Sequence, residues 1–194
     1  MQTFLSSYEL QNNAGVLDDK RLFKQLLEGY QILKTLVTGK GWIHHPAVLQ
    51  WTNHELALYE YIGTIWEECK RRNIAPESQL YFKSTKLTIK LSPSTKENPK
   101  WWGREDIISS HRGRLICKGE IDVICAGIKK SKKIRSINDW LKINFKKDKN
   151  QMRYEDIPAL KSYLTNKEIQ SLSPNHYLQF NWKEIGNEQY VWPV

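Results

Sequence analysis

Leu17-Asp18-Asp19-Lys20-Arg21-Leu22-Phe23-Lys24-Gln25-Leu26-Leu27-Glu28-Gly29-Tyr30-Gln31-Ile32-Leu33 decides the fold class of this chain. Leu22, Phe23, Leu26, Leu27, Tyr30 and Leu33 recur at helical spacing, which predicts an amphipathic helix with Asp18 or Asp19 as its N-cap. Such a stripe needs a core to face. On the opposite side Lys20, Lys24, Glu28 and Gln31 stack one above the other, with Arg21 alongside. Periodicity alone reads Lys24 and Glu28 as an i,i+4 surface pair, worth about 0.3 kcal/mol.

The same period continues outward from this stretch. Thr38-Gly39-Lys40-Gly41-Trp42 is a Gly-punctuated turn, and Pro46 after His44-His45 suits a first helical turn. Thr52-Asn53-His54-Glu55 has capping-box spacing, and Leu58, Ile62, Ile65, Trp66 and Cys69 follow at three- and four-residue steps. Lys70, Arg71 and Arg72 then place cations at the helix C-terminus, where the dipole favours them.

From Glu77 to Lys100 the pattern changes. Leu87, Ile89 and Leu91 alternate with Thr88 and Lys90, a strand-like signal that allows one short hairpin closed by Pro93 and Pro99. After Trp101-Trp102-Gly103 a short helix is expected, with Ile108, His111, Arg112 and Leu115 on one face. His111 reads as a satisfied structural histidine, the default for a lone His, and Arg112 as the partner of a core carboxylate.

Residues 119–173 read as a lysine-rich helical insertion. Lys129-Lys130-Ser131-Lys132-Lys133-Ile134-Arg135 is a dense basic run, either a solvated loop or a phosphate-binding one. Ser136 to Asp139 has capping-box spacing before Trp140, Leu141 and Phe145, and Pro158 and Thr165 to Glu168 mark two more short helices. The whole chain, 1–194, is expected to form a single compact, mainly α domain carrying this insertion. Its end, His176-Tyr177-Leu178-Gln179-Phe180-Asn181-Trp182 and Tyr190-Val191-Trp192-Pro193-Val194, is rich in aromatic residues, so packing is expected to tie it down.

Composition narrows the partner. Thirty Lys and Arg against 21 Asp and Glu give a formal charge of +9, and a pI near 9.4 favours an anionic partner. Eight Trp and nine Tyr beside that surplus fit nucleic acid better than a membrane surface, because cations track phosphates while rings stack on bases. Core packing is the ordinary use of most such rings. Cys69, Cys117 and Cys125 are odd in number and form no CxxC pair, so neither a disulfide framework nor a zinc site is indicated. MQTFLSSYEL lacks the features of a signal peptide and no window approaches a membrane span. A soluble intracellular monomer, cytoplasmic, nuclear or virus-encoded, needing no metal or cofactor, is the expectation.

Several motifs carry a family resemblance. Met1-Gln2-Thr3-Phe4-Leu5, Leu17-Asp18-x-Lys20-Arg21-Leu22-x-Lys24-Gln25-x-x-Glu28-x-x-Gln31-Ile32-Leu33, Gly41-Trp42 and His45-Pro46-Ala47-Val48-Leu49-x-Trp51 resemble the amino-terminal half of the pyrimidine-dimer DNA glycosylase family. Trp102-Gly103, Ser110-His111-Arg112-x-x-Leu115-x-x-Lys118, His176-Tyr177-x-x-Phe180-x-Trp182 and Tyr190-Val191-Trp192-Pro193 resemble its later motifs in the same order. The family is distantly similar to the all-helical phage pyrimidine-dimer glycosylase, endonuclease V.

The resemblance implies a bifunctional glycosylase and abasic-site lyase acting on duplex DNA with a damaged or modified base. Its α-amine would be the nucleophile, here that of Met1 because Gln2 is too bulky to favour methionine removal, and Glu28 the catalytic carboxylate. Lys20, Arg21, Lys24, His45, Trp102, His111, Arg112, Lys118, Tyr177 and Trp192 would contact the DNA. Leu27 stands where the phage enzyme has Arg, and Leu26 and Phe23 where the family has Arg and Gly, departures that bear on substrate identity. A non-catalytic nucleic-acid-binding protein of the same fold, and a glycosylase or nuclease for another modified base or RNA, are the alternative functions.

Overall fold

A computed structural model describes residues 2–91, 97–172 and 188–193. Helices α1 (Leu10–Gly15), α2 (Asp19–Thr38), α3 (Pro46–Leu49), α4 (Glu55–Arg71), α5 (Leu80–Thr88), α6 (Glu105–Lys132), α7 (Ile137–Phe145), α8 (Ile157–Lys161) and α9 (Asn166–Ser171) follow one another, with a 3₁₀ turn at Tyr154–Asp156. The mainly α expectation holds, and no strand is present among the described residues. The chain divides into two compact units, Met1–His111 with Tyr190–Val194, and Arg112–Gln189; the division falls within α6.

In the first unit α2 is the central element, and it packs most extensively on α4 and then on α5. Asp18 caps α2 by accepting the Arg21 backbone N–H at 3.0 Å, and Gly39, left-handed at φ 63°, ends it. Leu22, Leu26, Ile32 and Leu33 are buried as the periodicity predicts, while Phe23, Leu27 and Tyr30 are half-buried. A Cβ at Gly29 would lie 2.7 Å from Ile62 Cγ1, so the missing side chain sets how closely α2 and α4 approach. Arg72, just past α4, donates to the carbonyl oxygens of Leu17 (2.6 Å), Gly15 (2.9 Å) and Ala14 (3.3 Å), which lie at and beyond the end of α1.

Three local expectations are corrected. Leu87 lies in α5 with Ile89 as its C-cap, so this stretch forms a helix and no hairpin; Tyr81 stacks on both Tyr59 and Trp66 of α4, and that packing overrides the alternation. Thr52 does not cap α4, because the helix starts only at Glu55, with His54 at the N-cap position and no side-chain cap bond; Glu55 accepts the Asn53 backbone N–H at 3.2 Å. The helix after Trp102 is not short: α6 continues for 28 residues, through 119 and into the lysine run, so Lys129 to Lys132 form its last turn and not a loop.

The second unit has its own core. Cys117, Ile121, Ile124, Cys125 and Ile128 of α6 meet Leu141 of α7 and Met152, Ile157, Leu160 and Leu164, with Trp140, Phe145 and Tyr163 against them. Ser136 accepts the Asp139 backbone N–H, and Thr165 forms a reciprocal capping box with Glu168, as their spacing predicts. Arg114, almost fully buried, donates to the carbonyl oxygens of Met152 and Asn150 and to Glu188 Oε2 at 2.9–3.2 Å. No helix among the described residues is long and apolar enough to cross a membrane.

Candidate active site

The first unit is built around its own amino-terminal segment. Gln2 to Ser6 are all buried, which is unusual for a chain end. This segment has no regular secondary structure, so its backbone groups need partners from side chains. They find them on α2, α4 and α6.

Gln25 and Glu28 supply the α2 side. They are 1% and 8% exposed, and so lie on the buried stripe with Leu22 and Ile32. Gln25 Oε1 accepts from the Phe4 backbone N–H (2.8 Å) and the Tyr61 hydroxyl (2.6 Å). Its Nε2 donates to the Gln2 carbonyl oxygen (2.9 Å) and to Glu28 Oε2 (3.2 Å). Glu28 Oε2 also accepts the Gln2 backbone N–H at 3.2 Å. Lys24 Nζ stands 3.8 Å from Glu28 Oε1, so the expected i,i+4 pair exists, but its carboxylate faces inward rather than lying on the surface.

Other elements close the cradle. Thr3 Oγ1 accepts from Gln50 Nε2 and Trp51 Nε1, both at 3.0 Å. The Tyr61 hydroxyl lies 3.3 Å from the Phe4 carbonyl oxygen, and burial pushes its pKa well above the ordinary phenol value. From α6, His111 Nδ1 accepts the Leu5 backbone N–H at 2.9 Å. That bond fixes the neutral ring's proton on Nε2, which faces the Gln2 carboxamide at 2.7 Å. Gln2 Oε1, buried and with no hydrogen-bond partner among the described residues, is the acceptor that a half-turn of the carboxamide would bring to this proton. Burial pushes the His111 imidazole down to about 4, so it is neutral at physiological pH.

An aromatic train leads from this cradle to solvent. Phe4 and His111 both pack on Tyr190, Tyr190 on Trp192, Trp192 edge-on to His45, and His45 edge-on to Trp42, which is 67% exposed. The Val191 backbone N–H donates to Ser110 Oγ at 3.1 Å, which holds this end of the chain in place as expected. His45 caps α3 by accepting the Ala47 backbone N–H on Nδ1. Burial lowers its pKa, against the pull of the Glu28 carboxylate.

The expected site residues therefore separate. Glu28, Lys24, His45 and Trp192 lie around the cradle, and Lys20 is exposed on α2. Arg21 binds Asp18 at 2.9 Å, which engages its guanidinium at the α2 N-cap. Trp102 donates from Nε1 to the Tyr8 carbonyl oxygen at 3.1 Å and packs on Trp51, half-buried. His111 has no exposed surface and both ring nitrogens face the amino-terminal segment, so the ring lies in the core of the unit. Arg112 and Lys118 are half-buried residues of the second unit. Met1 and Tyr177 lie outside the described residues, as does the stretch His176 to Trp182.

Sequence reasoning missed Gln25, Thr3, Gln50 and Tyr61 as cradle residues. The available signal was polar: Gln25 and Glu28, three apart, interrupt the apolar stripe of α2 at positions that periodicity assigns to the core. Among the described residues no group of three or more His, Cys, Asp or Glu is placed to hold a metal ion.

The first unit thus turns a buried carboxylate and a buried carboxamide on its own amino-terminal segment. Residues 1–82 match the family model described as pyrimidine dimer DNA glycosylase, a match that covers α1 to α4 and ends in α5. It bears out the resemblance read from the amino-terminal motifs. Comparison with curated proteins and with solved structures gives no match.

Proposed function

We propose that the protein is a DNA glycosylase with abasic-site lyase activity, which excises a pyrimidine dimer or another modified base from duplex DNA through a Schiff base on its α-amine. The observation that carries this reading is the buried Glu28 carboxylate, which accepts the backbone N–H of Gln2, one residue from the start of the chain. An α-amine has a pKa of about 7.7–8.0, so an appreciable fraction is an uncharged nucleophile near neutral pH.

The chemistry balances without a redox partner. The amine lone pair forms a bond to C1′ as the glycosidic bond breaks, and the base leaves with the bonding electrons and takes up a proton. Opening of the sugar ring gives an iminium. Loss of a C2′ proton then expels the 3′ oxygen, and water releases the amine. Glu28 stabilises the cationic sugar and iminium and carries the C2′ proton away. Lys20 and Lys24 contact phosphates, with Arg21 beside them, while His45, Trp102 and Trp192 line the approach to an extruded nucleotide.

Borohydride trapping tests the reading. Incubation with DNA carrying a cyclobutane dimer or an abasic site, followed by reduction, is expected to leave a covalent protein–DNA adduct. Absence of an adduct on both substrates, with DNA binding intact, would sink the enzyme reading in favour of a non-catalytic DNA-binding protein. Glu28→Gln is expected to abolish strand cleavage, by about 10²-fold or more, with little change in affinity. Cleavage at the wild-type rate in that variant would refute the assignment.

A further inference from the structure

Charge is concentrated outside the family-matched stretch. Residues 112–189 carry sixteen Lys and Arg against nine Asp and Glu, a balance of +7, whereas the first unit carries fourteen against twelve, only +2. Several acids of the second unit are engaged within it, while Asp139 and Glu155 are exposed. Asp122 holds Lys149, Asp156 binds Lys147 at 2.9 Å, Glu188 binds Arg114 at 3.2 Å, and Glu168 is taken up by Ser131 and the Thr165 cap.

Its cations are engaged less. Lys129, Lys130 and Lys132 end α6 and Lys133 follows it, and all four are exposed. Past the turn, Arg135 is exposed, and α7, anchored inward by Leu141, Trp140 and Phe145, leaves Lys142 and Lys146 outward at i,i+4. No ion pair within 4 Å joins any of these to an acid among the described residues. A helix C-terminus favours a cation by about 0.3–1 kcal/mol, which accounts for one or two lysines but not for a cluster that continues across the turn onto a second helix.

We propose that this surface, from Lys129 to Lys146, is a second DNA-binding site, one that grips the phosphate backbone without reading sequence. An array of exposed cations on two helices matches a polyanion of fixed charge spacing, and phosphate binding of this kind depends on charge and not on base identity. A membrane surface fits less well, because the only large apolar side chain exposed on α7 is Ile143, and interfacial binding needs an apolar face. The choice of DNA over another polyanion rests on the glycosylase reading; the phosphate contact itself does not.

The test uses the full chain and an undamaged duplex of roughly 30 base pairs, with affinity followed from about 50 to 200 mM salt. For the exposed-site variant Lys132→Gln/Lys133→Gln/Arg135→Gln/Lys146→Gln, the slope of log affinity on log salt is expected to become shallower by about 0.9 for each phosphate that the variant no longer neutralises. Affinity at the lowest salt should fall roughly tenfold or more, while borohydride trapping at saturating DNA stays at the wild-type level. An unchanged slope in a variant with wild-type circular dichroism would overturn the proposal. So would loss of binding to anionic phospholipid vesicles with DNA binding intact. Should the fourfold variant fail to fold, Lys142→Gln/Lys146→Gln gives the same readout on a smaller scale. A protein that forms no adduct but still shows the charge-dependent slope would lose the glycosylase reading and keep this one.

Discussion

Gln25 uses both acceptor positions and both donors of its carboxamide, on Phe4, Tyr61, Gln2 and Glu28. A buried amide is stable in a core only when satisfied in this way, and here the satisfaction also sets the height of the amino-terminal segment above Glu28. His111 does the matching work from α6, and its chemistry makes a residue-scale prediction. The folded ring has a pKa near 4 against an ordinary value of 6.5, so the unfolded chain takes up this proton first as pH falls. The neutral ring's stabilisation is therefore complete above about pH 6.5 and is lost as pH falls toward 4, a loss on the order of 3 kcal/mol. Histidine NMR should show the Nε2–H tautomer at pH 7 and a ring still neutral at pH 5. A ring titrating near 6.5 would contradict its burial.

At the scale of elements, the first unit depends on how closely α2 lies on α4. Gly29→Ala should gain about 1 kcal/mol of helix propensity, yet its Cβ would meet Ile62 Cγ1 at 2.7 Å. Overpacking of that kind costs about 1–3 kcal/mol, so a net loss and a thermal midpoint lower by a few degrees are expected. A midpoint equal to or above wild type would show that Ile62 moves aside freely. Local patterns read well where neighbours do not compete, as at Ser136 and Thr165, whose caps form where their spacing puts them. They misled at Leu87, because the alternation there is short and Tyr81 finds Tyr59 and Trp66 only when α5 is helical. At Thr52 the helix begins only at Glu55, which leaves the Thr side chain outside the N-cap position.

At the scale of the whole molecule, the two units differ in a charge that composition merges into one number. The cradle lies in a unit of charge +2, and the surplus that suggested nucleic acid lies mostly in the other. The first unit also makes a testable claim about its chain end. The Phe4 and Leu5 amides donate to buried acceptors, so in hydrogen exchange they should be released only when the unit opens globally. Exchange at the rate of a frayed terminus would mean that the cradle does not hold its segment.

The sequence by itself determined the helical class, an α2 N-cap at Asp18 or Asp19, the basic surplus and the family motifs around Glu28, because each is read from residues close together in the chain. Only the tertiary structure decided that Glu28 faces inward, that Gln25 and Tyr61 clamp residues 2–4, and that His111 supports the segment and does not touch solvent. Those facts depend on groups 21 to 109 residues apart, and no local period records which side chain a distant backbone amide will find.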